Sequence, residues 1–274
     1  MSGFVNELVE IKNFIINNNY KKNKNDNIIS QRNKRKIFLI RNIKLNYIKI
    51  IKYIITGIKK IFSSDIKEFK REYYPTEVHI NGRIQDDVNY SYNLIETDNV
   101  IGLIWHDLIN SCNCMFCGCS DITEIDLSNF NTSNVKYMIS MFNGCSSLTS
   151  INLSNFYTSK VTWMHYMFYG CSSLTSLNLS NFIISKVTWK EYMFDGCINL
   201  EYINMINFNE NCLDSRYYSN MFKNVINNIV VCINNNNILN RIYPHIRDKT
   251  CHIEDCSDNW KLKQKNYSKE VMNV

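Results

Sequence analysis

Apolar and polar residues in the second half of the chain recur with a period of 26 residues. The segment Cys119-Ser-Asp-Ile-Thr-Glu-Ile-Asp-Leu-Ser-Asn-Phe returns almost unchanged from Cys145 and Cys171, and in looser form from Cys197. A fifth Met-Phe pair, at Met221, comes two residues late, whereas four earlier pairs keep the period, at Met115, Met141, Met167 and Met193. A fixed period of this length is typical of a solenoid, in which each unit is too small to fold alone and stacks on its neighbours.

Each copy begins with an alternating segment. Ile151 and Leu153 alternate with Ser150, Asn152 and Ser154, which predicts a strand with one inward face. The return path over 161–169 is predicted as a short helix or helical turn. Equivalent residues of a parallel sheet lie about 4.8 Å apart, so the inward residues should form core columns, at Leu127, Leu153 and Leu179, at Phe130, Phe156 and Phe182, and at Cys145 and Cys171. The column of strand-exit asparagines is expected to be buried and to bond the turning backbone, at Asn129, Asn155, Asn181 and Asn207.

Residues 1–72 form a basic extension, because they carry 17 Lys and Arg against 6 Asp and Glu. Residues 73–274 carry 14 against 19, so the net charge of +6 hides a mildly acidic body. Residues 1–36 are rich in Asn and Lys and are expected to be disordered. Over residues 38–62, isoleucines recur at steps of three and four, which predicts an amphipathic helix. Its apolar stripe either packs on the repeats or lies on an anionic membrane surface.

Residues 73–111 are predicted to form an N-terminal β cap. The segment 78–84 alternates around Asn81-Gly82, a hairpin signal, and residues 100–105 form a second short apolar strand. Both strands are expected to cover the open N-terminal end of the solenoid, because an exposed sheet edge invites aggregation. The repeats then occupy residues 112–225, and residues 226–274 form a C-terminal cap and tail.

The residue types of the copies point to a family. The string Met-Phe-x-Gly-Cys-Ser-Ser-Leu-Thr-Ser-Ile-Asn-Leu-Ser-Asn-Phe, read from Met141, resembles the BspA-like leucine-rich repeat, also catalogued as a mycoplasma-type surface-lipoprotein repeat of unknown function. The resemblance runs over residues 115–200. It implies a curved parallel-sheet solenoid on a secreted or cell-surface protein used for adhesion or protein binding. The predicted fold is therefore an α/β solenoid, a right-handed leucine-rich-repeat stack with a parallel sheet, short β caps and a helical N-terminal extension.

The outward strand positions are the predicted binding surface. They form a polar sheet face, at Glu124, Asp126, Ser150, Asn152, Ser176, Asn178, Tyr202 and Asn204. Solenoids commonly bind partners on such extended faces. The prediction is a non-catalytic surface protein that binds a protein or a host-matrix ligand there. The N-terminal residues lack the basic start and apolar run of a signal peptide. A membrane-associated protein, held by residues 38–62, or an intracellular scaffold is therefore the alternative.

A second column is aromatic. Tyr137, Trp163 and Trp189 occupy equivalent positions beside Lys160 and Lys186. Rings at equivalent positions of stacked copies lie next to one another. The column either packs at the edge of the core or forms a binding strip.

The chain has 11 cysteines. Those in the repeat register are predicted to be core thiols, because the parallel Cβ vectors of in-register residues fit a disulfide poorly. A denser group can hold unpaired thiols, a local disulfide or a soft metal ion, at Cys112, Cys114, Cys117 and Cys119. A Cys232–Cys251 disulfide would clamp the last copy in an oxidising compartment.

No catalytic constellation is predicted. The five histidines are scattered, and the period brings none of them beside a Cys or Ser with an acidic residue to orient it. No glycine-rich phosphate loop occurs. The sequence therefore predicts neither an enzyme nor a cofactor or metal site, and the acidic repeat body gives no electrostatic case for nucleic acid.

Overall fold

The computed structural model describes residues 46–51, 57–63, 69–96, 99–208, 220–225, 229–233 and 250–251, the first and last of these as backbone. Residues 1–36, which were expected to be disordered, and the tail beyond residue 251 lie outside these ranges. The described strands are β1 (Asn46–Ile51), β2 (Gly57–Lys60), β3 (Glu77–Ile80), β4 (Arg83–Ile84), β5 (Ser91–Leu94), β6 (Val100–Trp105), β7 (Glu124–Asp126), β8 (Ser150–Asn152), β9 (Ser176–Asn178), β10 (Tyr202–Asn204), β11 (Val230–Cys232) and β12 (Thr250–Cys251).

The strands form three sheets. Their orders are β4-β3-β6-β1-β7-β8, β12-β11-β10-β9 and β2-β5. Pairs that involve β1 to β6 are antiparallel, and pairs within β7 to β12 are parallel. A 3-10 turn at Arg71–Tyr73 is the helical element of the described ranges. The described protein is therefore strand-rich, with several small and partly parallel sheets.

Both helix predictions fail where they can be checked. Residues 161–169 form turns around a bridge at Trp163 instead of a short helix. Over residues 38–62 the predicted amphipathic helix is wrong at β1 and β2, which are strands. The spacing of the isoleucines fits a helix, but isoleucine is β-branched and suits a pleated sheet better than a helix. The helix prediction used the spacing alone and is therefore wrong. No helix within the described ranges has the length and apolar character that crossing a bilayer requires.

The N-terminal cap differs from the expected one in the strand that touches the repeats. The hairpin predicted at Asn81-Gly82 is confirmed, since β3 and β4 pair antiparallel across these two positive-φ residues. However, β1 lies between β6 and the first repeat strand β7, with Ile50 opposite both Ile101 and Ile125. The segment expected to be a helix thus supplies the backbone partner that the open edge of β7 needs.

The repeat strands pair in parallel at the sequence period. Ser150 lies opposite Glu124 in β8 and β7, and Tyr202 lies opposite Ser176 in β10 and β9. Between β8 and β9 the described strands are not paired, so the parallel sheet is divided in two. The inward residue beside this break, Ile151, is half-buried, whereas its equivalents in the other copies are fully buried, at Ile125, Leu177 and Ile203.

A second ladder joins the copies without interruption. We call it the Met-Phe ladder; it comprises residues 115–118, 141–144, 167–170, 193–196 and 221–224. The phenylalanine N–H of each segment donates to the methionine carbonyl of the next, at 2.8 or 2.9 Å. The fourth residue of each segment has positive φ, from 57° at Asn224 to 77° at Gly196. In the late fifth segment Asn224 stands where the other four segments have glycine, and asparagine tolerates this left-handed conformation.

The core consists of stacked side chains from successive copies. On the Met-Phe ladder, phenylalanine rings lie 5.1 to 6.0 Å apart between centroids, at Phe116, Phe142, Phe168, Phe194 and Phe222. A second column continues from Trp105 of β6, at Phe130, Phe156 and Phe182. Leu127, Leu153 and Leu179 are buried beside it. Trp105 thus extends the repeat core into the N-terminal cap.

Candidate functional site

The predicted sheet-face residues lie on the repeat strands with their side chains partly or fully accessible. Asn152 is exposed, and the other seven are half-buried. The break between β8 and β9 separates them into two groups, Glu124, Asp126, Ser150 and Asn152 on one side and Ser176, Asn178, Tyr202 and Asn204 on the other. The backbone pairing beneath this face is therefore interrupted between its first four and its last four residues, which we call the first and second patches.

One column of this face has a structural task. The Oδ1 atom of Asp126 accepts a hydrogen bond from the N–H of Ser128 at 2.9 Å. The equivalent oxygens accept from the residue two positions ahead at 3.0 or 3.1 Å, at Asn152, Asn178 and Asn204. These Asx turns end each strand and start the turn that follows. The Asp/Asn column therefore shapes the turns as well as presenting polar groups to a partner.

The strand-exit asparagines bond from copy to copy, but they are not buried as expected. Asn155, Asn181 and Asn207 are exposed, and each Nδ2 donates to a serine carbonyl 27 residues earlier, at Ser128, Ser154 and Ser180. The buried polar links are threonines instead. The Thr132 hydroxyl donates to the carbonyl of Tyr157 and accepts from its N–H, and Thr158 repeats this with Ile183. The asparagines therefore bond neighbouring copies at the exposed rim, where water competes for the same groups, and the threonines do so in the buried interior.

The register cysteines form a buried column. The Sγ atoms of Cys145, Cys171 and Cys197 donate to phenylalanine carbonyls 29 residues earlier, at 3.1 Å each. Burial raises the pKa of Cys145 and Cys171 well above the usual value and that of Cys197 to about 12. These thiols are protonated donors at neutral pH and have none of the thiolate character that nucleophiles and metal ligands need.

The other cysteines within the described ranges lie at the two ends of the repeats. Cys112, Cys114 and Cys119 are buried and Cys117 is half-buried. Within the described ranges, no three His, Cys, Asp or Glu side chains are grouped as metal ligands. At the other end, Cys232 lies opposite Cys251 in the parallel strands β11 and β12. The backbone register thus makes neighbours of the two residues predicted to form a disulfide, but in-register residues of parallel strands have parallel Cβ vectors, which fit that bond poorly.

The aromatic column lies on a chain of single parallel bridges, Ser111–Tyr137–Trp163–Trp189. Trp163 is 41% exposed and Trp189 is 45% exposed. The Tyr137 and Trp163 rings are 5.0 Å apart, and His165 contacts both Trp189 and Tyr166. Burial lowers the pKa of His165, whose Nδ1 has no hydrogen-bond partner among the described residues. The column is therefore part of an exposed aromatic surface that continues onto the Met-Phe ladder.

That ladder carries an open cavity of about 540 Å³ that the sequence did not reveal. Its walls come from four successive segments, at Ser140, Asn143, Tyr166, Tyr169, Tyr192, Asp195 and Lys223. Tyr166 and Tyr192 stack with centroids 5.1 Å apart and planes 7° apart, and Tyr169 meets Tyr166 edge-on. The Asn220 amide donates to the Tyr192 hydroxyl at 3.1 Å. The only sequence signal was that the residue before each Met-Phe pair and the residue after it change type from copy to copy.

These features define a strand-rich repeat protein whose copies are joined by parallel backbone ladders. Residues 106–230 match the model of a family described as Mycoplasma protein of unknown function, DUF285. The matched range contains the four copies and the fifth Met-Phe pair. No curated protein and no solved structure matches the chain significantly. The repeat region is therefore an uncharacterised repeat-family domain, and its chemistry has to be read from its own residues.

Proposed function

We propose that the protein is a non-catalytic binding module of the leucine-rich-repeat type, a right-handed solenoid that captures a protein or host-matrix ligand through its sheet face. The observation that carries this proposal is the repetition of accessible polar residues on buried columns. Ser150 and Ser176 occupy the same position 26 residues apart, while Leu127, Leu153 and Leu179 are buried beneath them. An extended surface of repeated groups suits a macromolecular ligand better than a small molecule.

The division of the sheet sharpens this proposal. Glu124 and Asp126 give the first patch a negative charge, whereas the second patch is neutral and carries Tyr202. Tyrosine is enriched at protein interfaces because a rigid ring buries much area at a small entropic cost. In this proposal the first patch orients a basic region of the ligand, and Tyr202 provides the apolar anchor.

The test uses residues that do not close the Asx turns. A double variant, S150R and S176R, fills the face with long cationic side chains while leaving Asp126 and the asparagines intact. The matched control is S133R and S159R, which are exposed and equally spaced but lie outside the strands. Saturable binding of the full chain to immobilised extracellular-matrix protein should be lost in the first variant and kept in the second. Equal binding by both variants contradicts the sheet-face site.

The competing function is an intracellular scaffold. The location of the protein in the cell distinguishes that scaffold from a surface binding module. Antibody staining of unpermeabilised cells should reveal a surface protein. Staining that needs permeabilisation favours the scaffold. The membrane-associated alternative relied on an amphipathic helix, and β1 and β2 occupy part of that segment as strands. A surface role through the repeats does not need that helix.

A further inference from the structure

Asp195 is a buried carboxylate in the wall of the cavity on the Met-Phe ladder. It is 4% exposed, and its Oδ1 accepts a hydrogen bond from the Asn224 amide at 2.9 Å. None of the ion pairs between described residues includes it. An ionised carboxylate has about four acceptor sites and is costly to bury without a cation. The equivalent residues Asn143 and Tyr169 are neutral, so the ladder itself does not require a charge at this position.

The tyrosines beside Asp195 are held in an unfavourable backbone conformation. Tyr166 and Tyr192 have φ of 58° and 54°. A side chain in this left-handed region costs about 1–2 kcal/mol per residue. The residues before the other Met-Phe pairs share this conformation, at Cys114, Ser140 and Asn220, so it belongs to the turn that every copy makes. In the third and fourth copies this turn presents two large rings side by side.

A cation of the protein already lies over one of these rings. Lys223 Nζ is 6.0 Å from the centroid of Tyr192, and the Lys223 side chain is exposed. A cation over a tyrosine face is attracted by the ring quadrupole. Tyr166, from the preceding copy, stacks on Tyr192, whereas Lys223 comes from the following copy. The outer face of Tyr192 and the Asp195 carboxylate thus form two walls of one site, and Lys223 lies at its rim.

We propose that this cavity binds the guanidinium group of an arginine side chain that a partner protein presents. A guanidinium is planar, so it can stack on an aromatic ring and donate two parallel hydrogen bonds to a carboxylate. An ammonium can do only part of this. The incoming group takes the place of the Lys223 ammonium over Tyr192 and reaches Asp195 with its N–H groups. Lys223, being exposed and flexible, moves aside into solvent and acts as a built-in competitor.

This site lies on the Met-Phe ladder and is separate from the sheet face. It rests on the proposed function only in taking the partner to be a protein. The carboxylate gives it selectivity for positive charge, and the rings give it selectivity for a flat group. The sheet-face variant S150R/S176R leaves every cavity residue unchanged, so the two sites can fail independently.

The test titrates the full chain with the capped peptide Gly-Gly-Arg-Gly-Gly and with the same peptide carrying citrulline, a neutral isostere of arginine. Binding is followed by saturation-transfer NMR on the peptide. The arginine peptide should bind at least about tenfold more tightly than the citrulline peptide, because a charge-assisted pair is lost in the latter. D195N should abolish this difference, and K223M should tighten arginine binding severalfold because it removes the competitor.

The control D86N removes an exposed carboxylate from the N-terminal cap and should bind the arginine peptide as the unmodified chain does. Equal affinity for the two peptides would overturn the proposal. Unchanged binding by K223M would overturn it as well, and that variant keeps the cavity walls, so the result does not depend on the folding of D195N. Loss of matrix binding by S150R/S176R together with retained peptide binding leaves both sites in place.

Discussion

Lys190 occupies the core position that Met164 fills one copy earlier, and it is only 1% exposed. Its Nζ donates to the Val187 carbonyl at 3.1 Å. Burying one ion costs several kcal/mol of desolvation. An apolar residue of similar volume avoids this cost, so a gain of about 1–4 kcal/mol is expected once the lost hydrogen bond is subtracted. We therefore expect K190M to raise the free energy of unfolding in urea by an amount in that range. K186M, at an exposed lysine four residues earlier, is the control and should change it by about 0.5 kcal/mol or less. A destabilised K190M would mean that the ammonium holds the fourth copy in place.

Gly196 and Gly82 share a φ of 77° but differ in their surroundings, so the pair separates strain from crowding. A Cβ at Gly82 meets nothing within 4 Å, whereas at Gly196 it lies 3.3 Å from the Gly170 Cα atom. G82A should cost about 1–2 kcal/mol from the backbone conformation alone. G196A should cost more, because the Met-Phe ladder must also move. Thermal melts of the two variants measure the difference in stability. Equal losses of melting temperature would show that the Met-Phe ladder accommodates the added methyl group without a further loss of stability.

The buried cysteines should be inert in the native state. With the pKa of Cys197 raised to about 12, roughly one thiol in ten thousand is a thiolate at pH 8. Iodoacetamide at that pH should leave Cys145, Cys171 and Cys197 unmodified in native protein and alkylate them in urea. The half-buried Cys117 serves as the comparison in the same peptide map. Native alkylation of Cys145 at the rate of Cys117 would contradict its place in the core.

The N-terminal cap should weaken in acid. Hydrogen bonding to His79 lowers the pKa of Glu77, with a further contribution from the charge of His106; burial opposes both. The Glu77 oxygens lie 3.0 Å from Nε2 of each histidine. Because the carboxyl pKa is lower in the folded than in the unfolded protein, its stabilising effect is present above the unfolded value. That effect is lost as the pH falls through the folded value.

The variant E77Q isolates this effect. Its melting temperature should fall less than that of the unmodified protein as the pH is lowered from neutral through the range in which carboxyl groups titrate. The D86N variant, at an exposed carboxyl group in the same cap, is the control. Parallel pH curves for E77Q and the unmodified chain would show that the Glu77 contacts do not contribute.

The parallel register and the core were readable from the sequence because one fixed interval repeats the same inward residues. Phe130, Phe156 and Phe182 had to stack once the period was known. The return path was misread because a tyrosine with positive φ, such as Tyr166, has no recognisable signal. The helix prediction is wrong at β1 because the pattern of isoleucines carries no information about the open edge of β7. Long-range pairing with β6 and β7 makes β1 a strand.

The cavity could not be foreseen for a related reason. Tyr166, Tyr192 and Lys223 come from three segments, and their meeting depends on how closely the ladder brings neighbouring copies together. The fifth Met-Phe pair aligns Lys223 with Asp195 in the sequence, but its two-residue delay does not show that the late segment joins the ladder. The backbone bonds from the Phe194 N–H to the Met221 carbonyl, at 2.9 Å, and from the Gly196 N–H to the Lys223 carbonyl, at 3.1 Å, show that it does.

The phenylalanine column has a consequence for how such a gene can change. Phe142 meets Phe116 on one side and Phe168 on the other in nearly the same geometry. A tandem duplication of one internal copy would therefore present each new ring with the neighbours it already fits. The array can lengthen or shorten by whole units without redesign of its interior, while the tyrosine cavity, built from unlike copies, would be displaced or broken by the same event.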